Sequence, residues 1–78
     1  MSDTQIEVLK ALEGRTLSRK DIFATIGMNS ASRSFKRYME PLLADGFIEM
    51  TVPDKPNSRL QKYRLTDSGK AFISDNGK

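Results

Sequence analysis

Apolar residues recur at helical spacing, about 100° apart, in the first half of the chain. The spacing predicts a first helix over residues 4–14, capped by Asp3 or Thr4, and a second over residues 19–26, capped by Ser18. The apolar positions expected to enter the core from these helices are Val8, Leu9, Leu12, Ile22, Phe23 and Ile26.

A third helical pattern follows a tight turn at Gly27, with Asn29 or Ser30 as its N-cap. Pro41 interrupts this pattern, because proline lacks an amide donor and crowds the preceding turn. Either the helix is kinked and its last turn packs on the core, or it ends near Glu40. The apolar side consists of Ala31, Phe35, Tyr38 and Leu42, with Met39 and Leu43 at its edges.

In the second half of the chain apolar and polar residues alternate, a pattern typical of strands and not of helices. Residues 47–52 and 59–66 read as two strands, and the loop between them carries two prolines and several other turn residues. A last short helix follows Thr66. Its candidate core residues are Ala71, Phe72 and Ile73.

The order helix, helix, helix, strand, basic loop, strand is that of a winged helix. We therefore predict an α+β fold of the winged helix-turn-helix type. It has a three-helix core, a two- to three-stranded antiparallel wing and a short C-terminal helix. With 78 residues, the chain forms a single domain, residues 1–78.

Composition narrows the chemistry of this domain. The sequence has no cysteine and no histidine, which removes thiolate nucleophiles, cysteine zinc sites and the usual general base at neutral pH. We expect no catalytic residue, no metal site and no cofactor, so the chain is not an enzyme. Its polar N-terminus lacks the order of a signal peptide, which predicts a cytoplasmic protein without a membrane partner.

Thirteen lysines and arginines against ten acidic residues give a net charge of +3, which permits DNA binding. Arg33 and Arg37, one helical turn apart, suit guanine edges in a major groove, and Lys36 suits a phosphate. Basic residues of the wing suit the backbone or a minor groove. The candidate residues for binding double-stranded DNA are Asn29, Ser30, Ser32, Arg33, Lys36, Arg37, Lys55, Arg59 and Lys62.

Several passages resemble known winged-helix proteins. Residues 42–49 resemble the leucine-x-x-x-glycine-hydrophobic-isoleucine passage of many winged-helix regulators, and residues 63–69 resemble their wing-exit motif, tyrosine-x-leucine-threonine-x-x-glycine. Residues 35–43 and 50–65 resemble a narrower group. It comprises the C-terminal winged-helix modules of bacterial RecG-like putative ATP-dependent helicases with a Schlafen-type AlbA domain, and of some Fic-type adenylyltransferases.

The resemblance implies an accessory module, either excised from a longer protein or free-standing. The enzymatic activities of such parents do not carry over, since the chain has no Walker motif and no histidine for a Fic motif. Two functions stay open: DNA binding, as in transcription regulation or a helicase-associated domain, and a protein-interaction or regulatory role in a larger bacterial enzyme. No small-molecule ligand is evident, and pairing as a homodimer is compatible with either function.

Overall fold

Three helices precede a two-stranded antiparallel sheet, and a fourth helix follows it, in the computed structural model, which describes residues 2–28 and 32–76. The helices are α1 (Asp3–Ala11), α2 (Arg19–Thr25), α3 (residues 32–44) and α4 (Asp67–Asn76). The strands are β1 (Ile48–Met50) and β2 (Tyr63–Leu65).

Helix α1 begins at a capping box that the sequence analysis assigned to the wrong residue. The cap is Ser2 and not Asp3 or Thr4: the Ser2 hydroxyl accepts from the Gln5 amide at 3.3 Å, and the Gln5 side chain accepts from the Ser2 amide at 3.0 Å. Serine followed three residues later by glutamine is the spacing that satisfies both amides. The helix ends at Ala11, three residues before the position predicted.

Helix α2 begins as predicted. The Ser18 hydroxyl accepts from the Asp21 amide at 3.2 Å. In the described part of the chain the Asp21 carboxylate accepts no hydrogen bond from the Ser18 amide. An aspartate side chain is one methylene shorter than the glutamate of a full capping box. Ile26 is only half buried, and Gly27 ends the segment with a φ of +77°, where a residue with a Cβ would be strained.

Helix α3 passes through Pro41 without a break and Leu42 of its last turn is buried, so the second alternative, an end near Glu40, is wrong. It is α-helical at Ser32–Ser34 and Glu40–Ala44 and π-helical at Phe35–Met39, where the Glu40 amide donates to the Phe35 carbonyl. The wider turn just before Pro41 accommodates the missing amide and the bulky ring.

The π-helical turn changes which side chains enter the core. Met39 and Leu42 are fully buried, whereas Tyr38 is only half buried. The prediction placed Tyr38 at the centre of the stripe and Met39 at its edge, and it is wrong because it assumed α-helical spacing throughout. Phe35 and Leu43 are half buried, and Ala31 lies outside the described residues.

The wing is a short antiparallel ladder in which Ile48 pairs with Leu65 and Met50 with Tyr63. Leu17 adds a third, one-residue strand, since its amide and carbonyl both bond to Tyr63 at 3.1 and 2.7 Å. The strands are shorter than predicted because Val52 bonds to the Gln61 side chain instead of a facing backbone group.

Helix α4 begins after Thr66, whose hydroxyl accepts from the Gly69 amide at 3.1 Å. Its Ile73 is buried and Phe72 packs on Phe47, with ring centroids 5.0 Å apart. Phe47, which precedes β1, is half buried and packs against the core. Ala71, also predicted for the core, is exposed.

One core unites these elements. Val8, Leu9, Leu12, Ile22, Phe23, Met39, Leu42, Ile48, Tyr63, Leu65 and Ile73 form a single buried cluster. Three helices around this cluster, with a hairpin and a last helix, make the fold a winged helix-turn-helix. None of the helices in the described part of the chain has the length and hydropathy needed to cross a membrane.

Candidate nucleic-acid interface

The predicted cations of α3 all lie on the protein surface. Arg33, Lys36 and Arg37 are exposed, and the Arg37 guanidinium carbon lies 5.7 Å from the centroid of the Tyr38 ring. Arg33 belongs to the α-helical start and Arg37 to the π-helical turn, so the two are not separated by one ordinary α-helical turn. Both are nonetheless accessible to a ligand.

Two of the predicted contacts at the start of this helix, Asn29 and Ser30, lie outside the described residues. Ser32 is the first described residue of α3.

The three predicted wing cations, Lys55, Arg59 and Lys62, are also exposed. Arg59 lines a cleft of about 520 Å³ between the wing loop and the start of α2, whereas Lys55 and Lys62 are not part of its wall. Of the three, Arg59 is the one that the wing loop brings beside the start of α2.

The cleft also contains cations that the sequence analysis missed. Arg19 and Lys20, the first two residues of α2, line it opposite Arg59. They follow the N-cap Ser18, and this stretch was interpreted only as the start of a helix. Their position beside the basic wing loop depends on the folding of the hairpin against α2, which local spacing does not reveal.

Arg19 connects the cleft to α3. Its guanidinium carbon lies 5.3 Å from the centroid of the Phe35 ring, and Phe35 lies 6.1 Å from the ring of Tyr63. Burial raises the pKa of the Tyr63 hydroxyl above its usual range, and the positive charge of Arg19 opposes that rise to a smaller extent. An aromatic pair from α3 and β2 thus supports a cation from α2.

The wing loop is braced from within by Gln61, a residue the sequence analysis did not single out. Only 5% of its surface is exposed. Its carbonyl accepts from the Val52 amide at 2.9 Å, and its amide group donates to the carbonyls of Val52 and Lys55. These bonds satisfy a buried polar side chain and fix the loop that carries Lys55 and Arg59.

Arg64 is the one wing cation with an acidic partner among the described residues. Its guanidinium lies 2.8 Å from the Glu49 carboxylate on the facing strand, and both side chains are about half exposed. This pair neutralises the outer face of the ladder. The unpaired positive charge of the wing is therefore concentrated in its loop.

These features define a winged-helix module with exposed cations on α2, α3 and the wing loop that form no ion pair with a described residue. The family model described as "Filamentation induced by cAMP protein Fic-like, C-terminal domain" matches residues 4–66. The chain belongs to this family of Fic-like C-terminal domains. The Fic part of the expected resemblance is thereby confirmed, and the RecG-like part stays a prediction. A search of curated proteins finds no match.

Two solved structures are similar to the chain. A Fic family protein from Desulfovibrio desulfuricans G20 is 34% identical, with a TM-score of 0.76 over 86% of this chain and 21% of that protein. The adhesin competence repressor AdcR from Streptococcus pyogenes is 15% identical, with a TM-score of 0.76 over 96% of this chain and 54% of that one. At that identity AdcR supports the fold alone. The chain spans about a fifth of the length of the Fic family protein.

Proposed function

We propose that this winged-helix domain binds double-stranded DNA, with α3 in a major groove and the wing loop on the backbone or in a minor groove. The observation that carries the proposal is the convergence of cations that form no ion pair with a described residue. Arg19, Lys20 and Arg59 line one cleft, and Arg19 packs on a residue of α3 itself. AdcR, which shares the fold, is a repressor, and this is compatible with the proposed function.

The proposed contact of each cation follows from the chemistry of its side chain. The exposed Arg33 and Arg37 offer the forked donors that match a guanine edge, whereas Lys36 supplies a point charge for phosphate. Lys55, Arg59 and Lys62 lie on or beside the wing loop and suit phosphates or a narrow groove. Contacts from Asn29, Ser30 and Ser32 would extend the site at the start of α3.

A titration of labelled duplex DNA at several salt concentrations tests the proposal. Affinity should fall steeply as salt rises, because bound phosphates release counterions. The double variant Arg33→Ala/Arg37→Ala should bind at least roughly tenfold more weakly, since each well-placed bidentate contact discriminates by about 1–3 kcal/mol. Lys55→Ala/Arg59→Ala should weaken binding to all sequences and lower the salt slope by about 1–2.

The matched control removes two exposed lysines elsewhere, Lys10 on α1 and Lys70 on α4. Lys10→Ala/Lys70→Ala lowers the net charge equally and should retain most of the affinity. Circular dichroism confirms that each variant is folded. A folded wild-type protein that does not bind duplex DNA at low salt would refute the proposal.

A second candidate function is a protein-interaction or regulatory module of a larger bacterial enzyme. The comparison with the Fic family protein favours it, since the matching region there is about a fifth of a longer chain. An exposed leucine, Leu60, on the wing loop offers an apolar contact, with 75% of its surface accessible. Absence of DNA binding in the titration above would leave this function as the better interpretation.

A further inference from the structure

The cleft between α2 and the wing loop has the charge and the donors of an anion site. Ser18, Arg19 and Lys20 line it from the helix side, and Asn57 and Arg59 line it from the loop. None of its three cations forms an ion pair with a described residue, and no acidic side chain is among those lining it. Because like charges held close together repel, this arrangement favours a bound anion.

Arg19 is oriented before any ligand arrives. The Phe35 ring lies 5.3 Å from its guanidinium carbon, a distance at which a cation and an aromatic ring attract each other. Among the described residues the Arg19 guanidinium donates no hydrogen bond, so its five N–H donors stay available. The Arg19 side chain is exposed and can present these donors to the cleft.

Neutral donors complete the site. The Ser18 oxygen accepts from the Asp21 amide at 3.2 Å, which leaves the hydroxyl hydrogen free to donate. Asn57 on the opposite wall carries an amide group with two further donors. A forked arginine combined with hydroxyl and amide donors is the set that the oxygens of a phosphate group accept from.

We propose that this cleft binds one phosphodiester of the DNA backbone, held by Arg19 from α2 and by Arg59 from the wing loop. The inference rests on the proposed function, because the guanidinium that would hold the phosphate packs on Phe35 of α3, the helix proposed to enter the major groove. A phosphate held at this point fixes the register of the duplex and carries no sequence preference.

Arg19→Ala tests the site on two duplexes of different sequence. Binding should weaken several-fold for both duplexes alike, and the slope of log affinity against log salt should become shallower by about 0.9, the loss of one phosphate contact. Phe35→Leu keeps the arginine and removes the ring that orients it, and it should give a smaller loss. Thermal unfolding of both variants separates a lost contact from a lost fold.

A series of duplexes, each with a single neutral methylphosphonate, locates the phosphate. For the wild-type protein one or two positions should reduce affinity by at least the factor seen for Arg19→Ala, because Arg59 contacts the same phosphate. For Arg19→Ala, neutralising those positions should cost less than it costs the wild-type protein, because part of the same interaction is already removed. An equal loss in both proteins would contradict the inference.

The outcomes separate this inference from the function on which it rests. If Arg19→Ala binds as the wild-type protein does while Arg33→Ala/Arg37→Ala is weakened, the cleft inference is wrong and DNA binding stands. If the folded wild-type protein binds no duplex, both are refuted. If inorganic phosphate shifts the NMR signals of Arg19 and Arg59 while DNA affinity is independent of Arg19, the cleft holds a free anion and the inference is overturned.

Discussion

At the scale of single residues, Thr66 and Gly69 connect the wing to the last helix. The Thr66 amide donates to the Phe47 carbonyl at 3.1 Å, and its hydroxyl donates to the Gly46 carbonyl and accepts from the Gly69 amide. Gly69 then packs directly against the backbone of Phe47, and a Cβ there would overlap the Phe47 carbonyl oxygen. The backbone approach at this point therefore requires a glycine.

Gly69→Ala should lower the free energy of unfolding by about 2 kcal/mol, the usual size of an overpacking defect. In an ordinary helix the same change would be stabilising by about 1 kcal/mol, so the sign itself is informative. Urea unfolding measures the difference. Ser68→Ala, at an exposed position of the same helix, is the control and should stay within about 0.5 kcal/mol of the wild-type protein. A stabilised Gly69→Ala protein would show that α4 lies farther from Phe47.

The roles of Thr66 and Gly69 could be predicted only in part from the sequence. The resemblance of residues 63–69 to a wing-exit motif marked the threonine and the glycine, and capping chemistry marked Thr66 and Ser18. The close approach of Gly69 to Phe47 could not be predicted, because the two residues are 22 positions apart in the sequence. Gln61 was missed for the same reason, since its partners Val52 and Lys55 meet it only when the hairpin closes.

At the scale of elements, the π-helical turn in α3 reconciles a proline with a continuous helix. Proline at position 41 cannot donate to the Arg37 carbonyl, and the bond from Glu40 to Phe35 widens the preceding turn. The extra residue in that turn shifts the inward position from Tyr38 to Met39. A helical wheel drawn at 100° per residue cannot show this shift, although Pro41 is a visible warning of it.

Comparison of Met39→Ala with Tyr38→Ala tests the shift. Met39 is fully buried, so its truncation should lower the free energy of unfolding by about 2–5 kcal/mol. Tyr38 is half buried, and its truncation should cost about 1 kcal/mol. Met39→Leu, which conserves volume, should cost less than about 1.5 kcal/mol. The reverse order of the two alanine variants in urea unfolding would indicate regular α-helical winding through this segment.

The order of helices and strands was predictable because each begins or ends at a strong local signal. Three glycines of the described residues have positive φ, and they stand after α1, α2 and α3: Gly14, Gly27 and Gly46. The predicted strands were too long, because the alternation of apolar and polar residues continues into the wing loop. The backbone ladder ends earlier, where the Val52 amide bonds to the Gln61 side chain and not to a backbone carbonyl. The third strand at Leu17 is a single residue and carries no periodic signal.

At the scale of the whole molecule, the modest net charge of +3 conceals an uneven distribution. Glu49 neutralises Arg64 on the outer face of the ladder, while the cations of the cleft, of α3 and of the wing loop are unpaired among the described residues. The candidate DNA-binding surface is thus the part of the protein where cations have no acidic neighbour among the described residues. Sequence analysis found the cations of α3 and the wing, but it did not place α2 beside them.

The Arg64–Glu49 pair offers a test of whether local or total charge governs DNA affinity. Glu49→Gln and Glu13→Gln each raise the net charge by one, and Glu13 is an exposed residue just after α1. Glu49→Gln also releases Arg64 beside the wing, so it should strengthen DNA binding by roughly twofold at low salt, with the gain disappearing as salt screens it. Glu13→Gln should have a smaller effect.

Stability should change little in either variant, because exposed ion pairs typically contribute about 0–1 kcal/mol. Fluorescence anisotropy with labelled duplex and urea unfolding measure the two quantities on the same samples. Equal gains in affinity would show that the duplex responds only to net charge, and a selective gain for Glu49→Gln would show that it lies against the wing. A loss of affinity in Glu49→Gln would mean that the ion pair itself orients the wing for binding, contrary to the arrangement proposed here.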